Sequence, residues 1–180
     1  MTHGTLPALL ALQPLESLRR TGWVLNGISD PETIAGHVLG ACHAILALGP
    51  RIVPAIDVER CLSLALVHDA PEALLGDLPK SAAELLPPGA KREAEEKAAR
   101  KLLGGLSPLA LERFAEYRSQ ATREARFARL CDRLQMGVRM VGYRRLGVRG
   151  LDDFAATIRA LDCSEFPPAA ALREEILAEV

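Results

Sequence analysis

The chain has 180 residues, of which 49% are hydrophobic and only 4% aromatic, enough apolar material for one sizeable core but little from which to build β-sheet. Its 22 basic and 23 acidic residues leave a formal charge of −1, which excludes a general attraction to a polyanion and removes nucleic acid as the expected partner. Four cysteines, Cys42, Cys61, Cys131 and Cys163, form no CxxC pair, and three of them fall inside apolar helical patterns; free thiols in a reducing cytoplasm are expected.

Taken in chain order, the leucine-rich stretch at residues 6–15 contains Pro7 and Pro14 and has no basic leader. It is far shorter than the ~20 residues needed to span a bilayer, so neither a signal nor a membrane anchor is expected. A helix is predicted over residues 31–48, capped by Ser29 or Asp30 with Pro31 in its first turn. Its stripe is Ile34, Val38, Ala41, Ile45 and Leu48, with His37 at the stripe's edge, where it can face a neighbouring helix. A second helix over residues 57–69 is apolar nearly all round at residues 61–67, the mark of an element packed on every side. His68 and Asp69 stand at its C-terminal end, and Pro71 ends or kinks it there.

Further helices are predicted over residues 89–103, 108–117 and 122–145, the last with the stripe Phe127, Cys131, Leu134, Val138 and Val141 and with Asp132 beside it. Two weaker helices, over residues 152–161 and 168–178, close the chain. The clusters Gly49-Pro50, Pro87-Pro88-Gly89, Gly104-Gly105 and Pro167-Pro168 are spaced like helix connections, and there is no internal repeat. The expected architecture is all-α and single-domain: residues 1–19 as a segment packed on the domain, 20–150 as its core, and 151–180 as C-terminal helices of the same unit.

The chemistry collects around His68-Asp69. A carboxylate at a helix C-terminus is repelled by the negative end of the macrodipole and is costly near an apolar core unless a cation compensates it. With a second His and a second Asp from other helices, it makes a mixed nitrogen and oxygen set suited to Mn, Co, Fe or Zn, with Mg possible. Each residue alone has a plainer reading: His37 as a hydrogen-bonded core histidine, Asp132 as the partner of Arg129 or Arg133.

The order His37, then His68-Asp69 in LVHDAPEALLGDLPK, then Asp132 in ARLCDRLQMG resembles the HD-domain phosphohydrolases, and more narrowly their 5′-deoxynucleotidase branch. RTGWVLNGISDPETIAGH at residues 20–37 adds to the likeness, which runs over about residues 20–147. The resemblance implies one divalent metal held by His37, His68, Asp69 and Asp132, with Glu72 orienting or deprotonating the attacking water. Glu72 shares the helical face of His68 if the turn continues past Pro71; its plainer reading is a surface residue of that turn, paired with water or Lys80. The resemblance also implies Asp77, in the GDLP turn, on the sugar, and Trp23 as a wall favouring deoxyribose, against the alternative of a packing anchor. Arg20, or else Arg19, takes the phosphate. A homodimer and a small nucleotide substrate are further implications.

Three departures from the pattern stand out: Gly22 precedes Trp23 where relatives carry an Arg, Gly36, where relatives often carry an acidic residue, weakens the expected support of His37, and Pro71 lies inside the HDxxE block. His3 and His43 are expected to be bystanders, which leaves too few ligands for a second metal. Arg139, Arg144, Arg145 and Arg149 are read as a solvated helix end. The rival functions are hydrolysis of another phosphate ester, such as a guanosine pyrophosphate, and a nucleotide-sensing module without turnover.

Overall fold

A computed structural model describes residues 4–180, in which every regular element is helical. Helix α1 (Thr5–Leu12) and α2 (Thr21–Leu25) are followed by α3 (Ile34–Leu48), α4 (Val58–Val67), the short α5 (Glu72–Leu75) and α6 (Lys80–Ala83), α7 (Ala90–Leu106), α8 (Pro108–Ser119), α9 (Arg123–Arg145), α10 (Asp152–Arg159) and α11 (Pro167–Ala178). The all-α expectation holds. His3 lies outside the described residues. No helix among the described residues is long and apolar enough to cross a membrane.

Three helices make the centre. α3, α4 and α9 pack on one another, with α8 against α4, and α10 and α11 against the far half of α9. The predicted stripe of α3 is buried at all five positions, Ile34, Val38, Ala41, Ile45 and Leu48. α4 starts where Asp57 accepts the Arg60 N–H at 2.9 Å, and α9 where Thr122 accepts the Ala125 N–H at 3.2 Å, so both caps satisfy otherwise orphaned donors. α1 lies along α7, and Leu12 reaches the cluster of Val67, Leu103 and Phe114.

Four expectations are corrected. α3 begins at Thr33, whose Oγ1 accepts the Gly36 N–H at 3.0 Å, and not at Ser29 or Asp30. The preceding residues are extended instead: the main chain of Arg20 donates to Glu32 and that of Ile34 to Leu18, forming an antiparallel bridge between Arg19 and Thr33. α4 is not covered on every side, since Leu66 is 66% exposed. Along α9 the stripe turns after Leu134: Val138 is half exposed, and Gly137 and Met140 are buried in its place. Gly137 meets Ile158 of α10 and Ile176 of α11 so closely that a β-carbon there would lie 3.1 Å from both. Finally, Gly104-Gly105 lies inside α7 and is no connection.

Candidate metal centre

The packing of α3, α4 and α9 brings four side chains to one point. His37 projects from the first turn of α3, His68 and Asp69 follow the last turn of α4, and Asp132 comes from the middle of α9. His37 Nε2 is 2.8 Å from Asp132 Oδ1 and 3.8 Å from Asp69 Oδ2. His68 Nε2 is 3.1 Å from Asp69 Oδ2 and 3.8 Å from Asp132 Oδ1. Ligand atoms of His37, His68 and Asp69 all lie within 4.8 Å of one another.

The orientation of both imidazoles is set from behind. His68 Nδ1–H donates to the Ala65 carbonyl at 2.6 Å, and His37 Nδ1–H to the Gln135 amide oxygen, so each ring turns Nε2 into the cluster. His68 Nε2 and Asp69 Oδ2 are buried, close, and yet not aligned for a hydrogen bond, so neither has a partner. Unpaired buried polar atoms of this kind cost ~1–3 kcal/mol each unless something satisfies them. A divalent cation would take both, and the imidazole and carboxylate donors suit one.

Electrostatics follow from the crowding. Burial alone would lower the His68 pKa, but the adjacent Asp69 carboxylate and then Asp132 outweigh it and raise it from 6.5 to about 9. Burial would raise Asp69, but His68, His37 and Arg20 bring it down to about 2, and Asp132 is likewise held well below the usual carboxylate range. Glu72 goes the other way: burial, then the charges of Asp69 and Asp77, push it up to about 9.

A cavity of about 690 Å³ opens over this cluster, lined by Arg20, Trp23, His68, Asp69, Glu72, Asp77 and Asp132 among others. Glu72 Oε2 is buried there without a partner. The helix does not run on through Pro71. α4 ends at Val67, and a tight turn in which Glu72 N–H reaches the Asp69 carbonyl at 2.9 Å starts α5 at Glu72 itself. Nor does Glu72 pair with Lys80, which lies 3.7 Å from Glu84.

Arg20 and Arg19 separate clearly. Arg20 Nη1 sits 3.7 Å from Asp69 Oδ2 and 4.0 Å from Asp77 Oδ1, whereas Arg19 turns away to Asp30 at 2.7 Å and the Pro31 carbonyl. Asp77 is anchored by the Thr21 main-chain N–H, 2.6 Å from its Oδ2, so the GDLP turn and the start of α2 are one unit. Trp23 is 2% exposed, stacked on Phe154 with ring centroids 4.0 Å apart and edge-on to Tyr143. It contributes to the cavity wall and to the core at once.

Several residues carry the site without having been singled out in the sequence. Tyr117 of α8 donates its hydroxyl to Asp132 Oδ2 at 2.9 Å and leans on the His68 ring, so Asp132 pairs with neither Arg129 nor Arg133. Gln135 supplies the support of His37 that Gly36 does not, and its own amide N–H donates to Glu32 at 2.7 Å. A signal for Gln135 existed: it follows Asp132 by three residues, and it is a polar group within the buried face of α9. The basic cluster is also corrected. Arg139 pairs with buried Glu32 at 3.0 Å, Arg144 with Asp152 at 3.1 Å, and Arg145 with Glu179 at 2.9 Å, so three of its members are tethers. His43 is exposed on the outer side of α3.

Comparison with known proteins gives the family. The HD domain family matches residues 12–154. The 5′-deoxynucleotidase hdd1 of Schizosaccharomyces pombe is 34% identical over 147 residues, covering 77% of this chain and 72% of that protein. The 5′-deoxynucleotidase HDDC2 of Homo sapiens is 30% identical over 152 residues, covering 80% and 72% respectively. Among solved structures, the PH0347 protein from Pyrococcus horikoshii OT3 superposes with a TM-score of 0.84 at 30% identity over 97% of this chain and 99% of that one. A predicted metal-dependent phosphohydrolase from Magnetospirillum magnetotacticum MS-1 gives 0.64 at 25% identity over 97% and 91%. By its sequence and its fold, the chain belongs to the HD domain family.

Proposed function

We propose that the protein is a metal-dependent phosphomonoesterase that hydrolyses (deoxy)nucleoside 5′-monophosphates to nucleoside and inorganic phosphate. The observation that carries the reading is the pair of buried, unpartnered atoms His68 Nε2 and Asp69 Oδ2 at the floor of a cavity that also holds an unpartnered Glu72 carboxyl oxygen. The similarity to 5′-deoxynucleotidases supports the substrate class.

In this reading His37, His68, Asp69 and Asp132 hold one divalent ion, drawn from Mn, Co, Fe and Zn, with Mg as a weaker fit to imidazole ligands. Such an ion polarises a phosphoryl oxygen and lowers the pKa of water. Glu72 would accept the proton of the attacking water at its carboxylate oxygen, the form that a bound divalent ion would favour by offsetting the Asp69 and Asp77 charges that, after burial, hold its pKa up. Arg20, pointed into the cavity and flanked by Asp69 and Asp77, offers the guanidinium that meets the phosphate oxygens. Asp77 accepts from a sugar hydroxyl, and Trp23 closes the 2′ side of the sugar. Tyr117 holds Asp132 in place through its hydroxyl.

The test is phosphate release from a panel of esters, deoxynucleoside and ribonucleoside 5′-monophosphates beside a guanosine pyrophosphate, with metal-loaded and metal-stripped protein. Turnover of the monophosphates that requires metal supports the reading. Turnover of the pyrophosphate alone, or none with any ester, replaces it with one of the rivals.

A further inference from the structure

We infer that Glu32, which touches neither the cavity nor any of the four clustered ligands, holds Nδ1 of His37 protonated through Gln135 and thereby decides which imidazole nitrogen is offered to the metal. The inference rests on the metal reading above for its consequence, but the proton on Nδ1 is a property of the metal-free chain.

The argument is one of hydrogen-bond polarity. The Glu32 side chain is 1% exposed, and three donors converge on it. Trp23 Nε1–H reaches Oε1 at 2.9 Å, Gln135 Nε2–H reaches Oε2 at 2.7 Å, and Arg139 Nε–H reaches the same Oε2 at 3.0 Å. Neither an indole N–H nor a guanidinium can accept, so Glu32 has to supply acceptors. A side-chain amide has one donating and one accepting end. With its NH2 group committed to Glu32, Gln135 can present only its carbonyl oxygen to His37, and that oxygen accepts from His37 Nδ1–H. Nδ1 is then held protonated, which leaves Nε2, hydrogen-bonded to the Asp132 carboxylate at 2.8 Å in the metal-free chain, as the nitrogen that exchanges its proton for a metal ion. Turning the amide over would set its NH2 group against a protonated Nδ1 or impose the opposite tautomer, and would leave a carbonyl facing the Glu32 carboxylate.

Steric evidence for the same role comes from Gly40, one turn along α3 from His37. A β-carbon at Gly40 would lie 2.7 Å from Gln135 Cγ and 2.9 Å from its Nε2, closer than real contacts allow. The glycine clears the space in which the Gln135 amide reaches His37. Glu32 is itself fixed by its main-chain N–H, which donates to Tyr143 Oη at 2.8 Å.

The experiment follows His37 in ¹⁵N-histidine-labelled full-length protein by long-range ¹H–¹⁵N spectra, metal-free and zinc-loaded, alongside zinc affinity by calorimetry. Wild type is expected to show a protonated Nδ1 in both states. Glu32→Gln, which can donate to Gln135 and so release the amide to turn over, should lose that single protonated state and bind zinc ~10- to 100-fold more weakly, the range for losing an outer partner of a metal-bound histidine. Gly40→Ala should do the same by pushing the Gln135 amide away, with no polar group altered. The exchange Glu32→Gln with Gln135→Glu restores the polarity, because the carboxylate introduced on α9 accepts from both sides while Arg139, 41% exposed, can turn to water. The double variant should therefore regain Nδ1–H and zinc affinity relative to Glu32→Gln alone. An unchanged His37 spectrum with zinc affinity within about twofold of wild type in both Glu32→Gln and Gly40→Ala would overturn the relay, as would failure of the double exchange to recover what the single lost. If wild type binds no zinc, the metal reading fails separately, and the metal-free spectra still settle whether Nδ1 is held protonated.

Discussion

His37 Nε2 and Asp132 Oδ1, separated by 95 residues in sequence, lie 2.8 Å apart where α3 crosses α9. Neither residue is marked by its local sequence. Each belongs to an amphipathic helix, and only the packing of the two helices makes a site of them.

Removing the residues that follow α4 should remove the metal. His68→Ala and Asp69→Ala each delete a donor whose counterpart is buried without another partner, so metal content by mass spectrometry should fall well below wild type, and phosphate release with it. Full occupancy in either variant would refute the assignment of these ligands.

Glu72→Ala should separate binding from chemistry. The four clustered ligands remain, so metal content stays near wild type, while loss of the proton acceptor lowers kcat by ~100- to 10,000-fold with little change in substrate affinity. Joint loss of metal and turnover would make Glu72 a ligand. Near-normal turnover would reduce it to a residue of the turn, worth within ~0.5 kcal/mol of stability.

Metal uptake should release a proton from His68. In the metal-free protein Asp69 keeps this imidazole protonated up to about pH 9 although its ordinary pKa is 6.5, and a protonated nitrogen cannot ligate. Apparent metal affinity should therefore climb with pH up to about 9 and level off above it. The raised pKa also stabilises the metal-free fold fully below pH 6.5, a contribution lost as pH rises through about 9. Calorimetry at neutral pH in buffers of different ionisation enthalpy should show proton release, and heats independent of buffer would rule it out.

Trp23→Ala should act on two readouts. The ring is 2% exposed and stacked on Phe154, so its loss should cost ~3–5 kcal/mol of stability, measured by denaturant unfolding. If the ring also crowds the 2′ position, the preference for deoxyribonucleotides over ribonucleotides should fall in the folded variant. Lower stability with unchanged preference would leave Trp23 as a packing anchor alone.

The sequence was informative where one helix decides the outcome. The stripe of α3 is legible because five apolar positions at steps of four and three lie on one face of the helix, and all five are buried. It was less so where two elements must meet. Val138 fits the apolar spacing of α9 but is 49% exposed, because α10 and α11 press on Gly137 and draw the buried face round to it. A glycine contributes nothing to a hydrophobic pattern, so that turn has no signature. The cap of α3 is hidden for a similar reason: pairing with residues 18–20 keeps the chain extended up to Thr33. At the site, His68-Asp69 announces itself by charge at a helix end. Tyr117 and Glu32 do not, since each acts through a partner on another helix.

The central claim is tested most directly by where a bound ion sits. Crystals of the full chain loaded with manganese or zinc should give a single anomalous peak within ~2.0–2.2 Å of His37 Nε2, His68 Nε2 and carboxylate oxygens of Asp69 and Asp132. A peak bound elsewhere on the chain, or no peak at saturating metal, would contradict it.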